Sequence, residues 1–110
     1  MKDSEFVLVL TTLPAESDAA AFARTLVKER LVACVTVQPQ LQSVYRWREE
    51  IEDVREQQLV LKTSRARVEA LWRRVRQLHP HEVPEFLVVP IIDGNAAYLK
   101  WIADSTTDSQ

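Results

Sequence analysis

The 110-residue sequence has one glycine, one cysteine and no apolar run of membrane-spanning length. Each scarcity excludes something. A single glycine, Gly94, rules out a glycine-rich phosphate loop and weighs against the usual nucleotide-binding folds. It also leaves the tight turns to Pro, Asp, Asn or Glu, because glycine is the residue that takes positive φ at least cost. The lone Cys34 cannot close an internal disulfide, which points to a reducing compartment. No stretch approaches the roughly 20 apolar residues that cross a bilayer. Residues 1–5 have no signal-peptide layout, since charge is followed at once by a strand-like run. The expectation is a cytoplasmic protein with no membrane partner. A formal net charge of −2 and the absence of long one-sign runs argue against a nucleic-acid partner. The most basic patch, Arg65, Arg67, Arg73, Arg74 and Arg76, falls in an expected helix and reads as its solvated face.

What is present describes a globular domain: 46% hydrophobic and 27% charged residues, an ordinary soluble composition. A chain of this length forms one domain over residues 1–110 and buries roughly 60–70% of its unfolded surface. Phe6-Val7-Leu8-Val9-Leu10 suits a buried central strand, ended by Thr11-Thr12-Leu13-Pro14. Ala19, Phe22, Ala23, Leu26 and Val27 then recur at helical spacing over about 17–30, with Ser17 as the expected N-cap. Residues 31–37 return to strand character, which resumes at Val44-Tyr45-Arg46-Trp47. Pro39 between them predicts an edge position or a bulge. Arg48-Glu49-Glu50 is a polar turn, and a second arm runs from Ile51 through Thr63, completing one long hairpin.

Ser64 is placed to cap a second helix, in which Val68, Leu71, Trp72, Val75 and Leu78 form one apolar stripe. Pro80 stops that helix by His79. Residues 86–92 form a last strand, Asp93-Gly94-Asn95 a turn, and Asn95 caps a short helix carrying Tyr98, Trp101 and Ile102. The ordered core is expected over 6–104, with a fraying tail at 105–110. The order β-α-β-β-α-β plus a terminal helix predicts an α+β, ferredoxin-like subunit with an antiparallel sheet and both main helices on one face. The other face must then meet solvent, a ligand or another subunit.

Ala33-Cys34-Val35, Ser43-Val44-Tyr45-Arg46-Trp47, Leu61-Lys62-Thr63, the stretch HPHEVPE at 79–85, and Gly94-Asn95 with Tyr98-Leu99-Lys100-Trp101-Ile102 occur in that order. Together they resemble the signature segments of the CutA family, the divalent-cation tolerance proteins, over residue 6 to about 105. The resemblance implies a tight homotrimer whose long hairpins pair between subunits. It also implies a role in the response to copper and other divalent metal ions, with copper binding and no settled reaction. The trimeric architecture further resembles that of the PII signalling proteins, which bind small ligands between subunits. Four residues depart from the family pattern: Glu49 and Gln40 stand in place of glycine, Thr36 in place of asparagine and His81 in place of tyrosine.

Three residues are metal candidates. The thiolate of Cys34 is a soft ligand suited to Cu(I) or zinc, although a lone cysteine in an apolar strand also reads as a small buried hydrophobe. His79 and His81 offer imidazoles, with Glu82 and Glu85 as oxygen donors, but they lack the helical i, i+4 spacing of a zincin pair. His79 reads first as a helix C-cap, where its imidazole meets the negative end of the dipole, then as a cleft residue, and last as a metal ligand. A second constellation, Tyr45, Trp47, Lys62, Glu82 and Glu85, reads as a cleft for a small anionic or planar ligand. Its plain counterpart is an intersubunit salt bridge with aromatic packing. No nucleophile–base–orienter set is visible, so no enzyme is expected. Three functions compete: metal sequestration or sensing, a small-ligand signalling module, and a trimeric scaffold for a protein partner.

Overall fold

A computed structural model describes residues 5–108. Its elements are β1 (Phe6–Pro14), α1 (Ala19–Lys28), β2 (Cys34–Trp47), β3 (Glu50–Ser64), α2 (Val68–Leu78), β4 (Leu87–Pro90) and α3 (Ala96–Ser105), with a 3-10 turn at Arg65–Arg67. The strands form one antiparallel sheet in the order β2-β3-β1-β4.

The period-2 alternation of β1 sets the layers. Val7, Val9, Thr11 and Leu13 are buried, while the residues between them are half-buried. Val9 sits opposite Leu61, and Thr11 opposite Leu59. These side chains form the core with Phe22 and Leu26 of α1 and Leu71 and Val75 of α2. The α2 stripe behaves as its spacing predicts: Leu71 and Val75 are buried, Val68 and Leu78 pack beside them, and Trp72 lies 4.8 Å from Phe86. Arg74 forks onto Glu29 through Nε and Nη2, both at 2.9 Å, which ties α2 to the end of α1.

Several boundaries differ from expectation for identifiable reasons. Asp18, not Ser17, caps α1, because its carboxylate accepts from the Ala21 N–H at 3.0 Å. Ser64 makes no side-chain cap bond; its hydroxyl is hydrogen-bonded to that of Thr106. β2 begins only at Cys34, since Leu31, Val32 and Ala33 are buried in the connection from α1. β4 is confined to Leu87–Pro90, the stretch that pairs with β1. Pro39 does fall in a bulge on an edge strand, between Gln38 and Leu41. Of the segment expected to fray, Ser105 closes α3 and Thr106 is 2% exposed, its hydroxyl donating to the Ile102 carbonyl at 2.8 Å. Residues 109–110 of that segment lie outside the described residues.

The long hairpin is the dominant shape. β1 covers β3 only from Glu56 to Ser64, so residues 42–55 of β2 and β3 stand as a bare two-stranded arm. Its tip is a two-residue turn, Arg48-Glu49, between the paired Trp47 and Glu50. Both turn residues have positive φ, 50° and 73°, the signature of a type I′ turn made without glycine. The arm's base is anchored by Gln57, whose buried amide donates to the carbonyls of Pro14 and Ser17, both at 3.0 Å. Among the described residues, no helix is long and apolar enough to cross a membrane.

Candidate functional site

α2 ends where Pro80 forces it to, and His79 takes extended angles of φ −81° and ψ 136°. Its side chain is 7% exposed and contacts Phe22 edge-on. Nε2 is hydrogen-bonded to the Thr12 carbonyl, which can only accept, so Nε2 carries the proton. Nδ1 is then free to accept from the backbone N–H of His81 at 3.1 Å. Both ring nitrogens are therefore engaged, and the imidazole is held neutral. Burial depresses its pKa most; the Thr12 bond opposes that shift, the neighbouring His81 adds to it, and Glu56 opposes it. The residue fastens the start of the 80–86 connection to the end of β1.

That connection faces the arm across a cleft of about 760 Å³. Its walls include Ser43, Val44, Tyr45 and Trp47 of β2, Glu52 and Glu56 of β3, Thr12 of β1, and residues 80–85. In the ladder Tyr45 stands opposite Glu52, Trp47 opposite Glu50 and Leu41 opposite Glu56, so the aromatic and acidic side chains of the arm share one face. At the rim, Arg48 donates to Glu82 at 3.0 Å and lies 5.2 Å from the centre of the Trp47 ring. Deeper, Glu56 is 7% exposed. Glu85 has one carboxylate oxygen buried without a hydrogen-bond partner. Burial raises the Glu85 pKa, the Glu56 charge raises it further, and the Gln58 side chain opposes both.

The structure thus gathers Tyr45, Trp47, His81, Glu82 and Glu85 into one cleft and leaves Lys62 and Cys34 out of its lining. Lys62 lies six residues along β3 from Glu56, about 20 Å of strand. Its ammonium group donates to the Tyr98 hydroxyl at 3.3 Å and sits 5.5 Å from that ring's centre. Cys34 is opposite Lys62 in the ladder, on the sheet face turned away from the core, and is half-buried. The exposed His81 has its ring 5.0 Å from that of His79. Among the described residues, no three His, Cys, Asp or Glu side chains converge in a way that could hold a metal ion. Glu52 and Glu56 were missed in the sequence reading. Their four-residue separation puts them on one strand face, a signal that becomes legible only once the arm is paired.

Comparison with known proteins gives a consistent family. The family model described as "CutA1 divalent ion tolerance protein" matches residues 7–105. The chain is 43% identical over 99 residues to the divalent-cation tolerance protein CutA of Thermus thermophilus, covering 90% of this chain and 96% of that one. It is 44% identical over 93 residues to the CutA homolog of Xenopus laevis, covering 84% of this chain but 62% of that longer protein. The crystal structure of CutA from Xylella fastidiosa superposes with a TM-score of 0.89 at 40% identity, over 94% of this chain and 99% of that one.

Proposed function

This chain belongs to the CutA1 divalent ion tolerance family, and from that premise we propose that it works as a cytoplasmic homotrimer of ferredoxin-like subunits that binds copper or a similar divalent metal without catalysing a reaction. Residues 1–110 form one such subunit. The element order and the strand order β2-β3-β1-β4 support the ferredoxin-like assignment. The lone thiol supports a reducing compartment.

The observation that carries the trimer is the arm. Val44 and Ile51 are 64% and 63% exposed on a two-stranded ribbon that neither β1 nor a helix covers. A ribbon of that kind is marginal alone in water, and exposed apolar surface of that kind marks a contact. The Cα radius of gyration, 14.7 Å, exceeds the roughly 13 Å expected of a compact domain of this length. On the sheet face turned from the core, Leu87 and Val89 are also exposed, which offers a second copy somewhere to seat its arm.

The metal is cargo taken up where subunits meet. Within one chain the donors do not fit a metal site, since Cys34, His79 and His81 do not converge and both nitrogens of His79 are engaged. Cys34 and His81 are the donors with free capacity; His79 positions the loop. The test is a copper titration of the full chain followed by native mass spectrometry. Copper is expected on the assembled particle, with at least tenfold weaker binding for Cys34→Ser and for His81→Ala. Unchanged affinity in both variants would remove the reading.

A second reading, a small-ligand module, draws support from the cleft that gathers Tyr45, Trp47, Glu82 and Glu85.

A further inference from the structure

The cleft differs in sign from the anion-binding site expected from Lys62. Its walls carry Glu52, Glu56, Glu82 and Glu85. At the rim the acidity is answered: Arg48 pairs with Glu82, and both side chains are well exposed. At the floor it is not. Glu56 is more than nine-tenths buried, at 7% exposure, and its carboxylate makes no hydrogen bond or ion pair to another described residue. One oxygen of Glu85 beside it is buried and unpartnered. A buried carboxylate oxygen without a donor is costly, so Glu85, with Glu56 beside it, implies a donor group from outside the chain.

We propose that this cleft binds a small organic cation, a guanidinium or primary ammonium compound, whose N–H groups are taken by Glu56 and Glu85 and whose carbon skeleton lies against Tyr45 and Trp47.

Three observations select this class. A volume of about 760 Å³ is that of a small-molecule site and far exceeds what a bare ion fills. Among the described residues, no third donor converges with the two carboxylates to complete a metal's coordination. And the protein already shows the recognition in miniature: the Arg48 guanidinium lies 5.2 Å from the Trp47 ring centre while donating to a glutamate at 3.0 Å. Guanidinium suits this wall because it stacks on an aromatic face and presents parallel donors to a carboxylate.

The proposal rests on the ligand-cleft reading, not on the trimer or the metal. It is tested by calorimetry on the full chain near neutral pH. The probe is agmatine, which carries both a guanidinium and an ammonium group; butyrate and butyramide serve as anionic and neutral controls. Agmatine should give saturable heat that butyrate and butyramide do not. Glu56→Gln and Glu85→Gln should each weaken it at least tenfold, and Lys62→Ala less than twofold. Change in the intrinsic tryptophan emission of the unmodified protein, absent in Trp47→Phe, reads the same occupancy without altering a carboxylate. Preference for butyrate or butyramide would overturn the cationic class and leave the cleft as a ligand site. No binding of any probe would overturn both. A particle that loses subunits in Glu56→Gln, with no agmatine bound by either form, would assign the carboxylates to a subunit contact and overturn the proposal.

Discussion

Four residues hold the left-handed backbone conformation usually left to glycine: Arg30 at φ 61°, Gln40 at 61°, Arg48 at 50° and Glu49 at 73°. The chain's one glycine, Gly94, is not among them. Replacing Glu49 with glycine isolates the cost of this arrangement. The left-handed conformation costs an L-residue about 1–2 kcal/mol, which glycine removes. Glycine in turn adds unfolded-state entropy worth about 0.5–1 kcal/mol. The net expectation for Glu49→Gly is a gain of about 0.5–1 kcal/mol per subunit, which corresponds to roughly 2–6 °C in Tm for a domain of this size. Glu49 is exposed and makes no hydrogen bond among the described residues, so no contact is lost with it. Gln40→Gly, at the bulge, should gain as much and add to it, the two sites being well separated along the arm. Arg30→Gly is the control. It relieves the same strain but removes an Nη1 donor to the carbonyls of Asp104 and Ser105, at 3.3 and 3.4 Å, so its net effect is zero or negative. The assay is thermal unfolding at one fixed protein concentration, because Tm of an oligomer shifts with concentration. A Glu49→Gly protein that melts below the parent would refute the reasoning.

Removing His79 as His79→Ala deletes a buried ring and its hydrogen bonds to Thr12 and His81, and should cost about 2–4 kcal/mol in urea unfolding. The folded ring titrates below the 6.5 of free imidazole, so the unfolded chain binds more protons as pH drops through that value. Stability is therefore full above 6.5 and declines below it until the folded ring protonates; a His79→Gln protein should show a shallower loss between neutral and acid pH. Glu85 runs the other way. Its folded carboxyl titrates above the 4.5 of free glutamate, so its contribution is fully present below 4.5 and is lost as pH rises through the raised value. Glu85→Gln should thus stabilise the protein near neutral pH, with the gain vanishing at acid pH. A gain that is independent of pH would deny the burden placed on that carboxylate.

Much of the fold is legible in local patterns. The stripe from Val68 to Leu78 and the stop at Pro80 depend only on neighbours in sequence and appear where the pattern places them, whereas β1 runs past the expected end of its apolar run to Pro14, because Thr11 and Leu13 continue its buried face. The helix caps are less legible, because Ser17 and Asp18 are both good caps and only the realised backbone decides which carboxylate or hydroxyl reaches an N–H. The candidate site is harder still. Lys62 and Glu85 look adjacent when strand ends are drawn in a row, but the ladder places Lys62 opposite Leu8 and Cys34, beside Tyr98. Glu85 instead lies close enough to Glu56 for that charge to raise its pKa. Register is a pairing property, and a strand's own composition does not state it. The charge of the cleft escaped for the same reason: Glu52 and Glu56 read as ordinary polar arm residues until the arm is seen to form a wall.

The central claim is that the bare arm is a subunit contact, and the mass of the particle in solution tests it most directly. Native mass spectrometry of the full chain at micromolar concentration should give a species of three times the 12.7 kDa chain mass. Ile51→Glu, which places a charge on the arm's exposed apolar surface, should shift it toward single chains. A parent protein that remains a 12.7 kDa monomer would contradict the account.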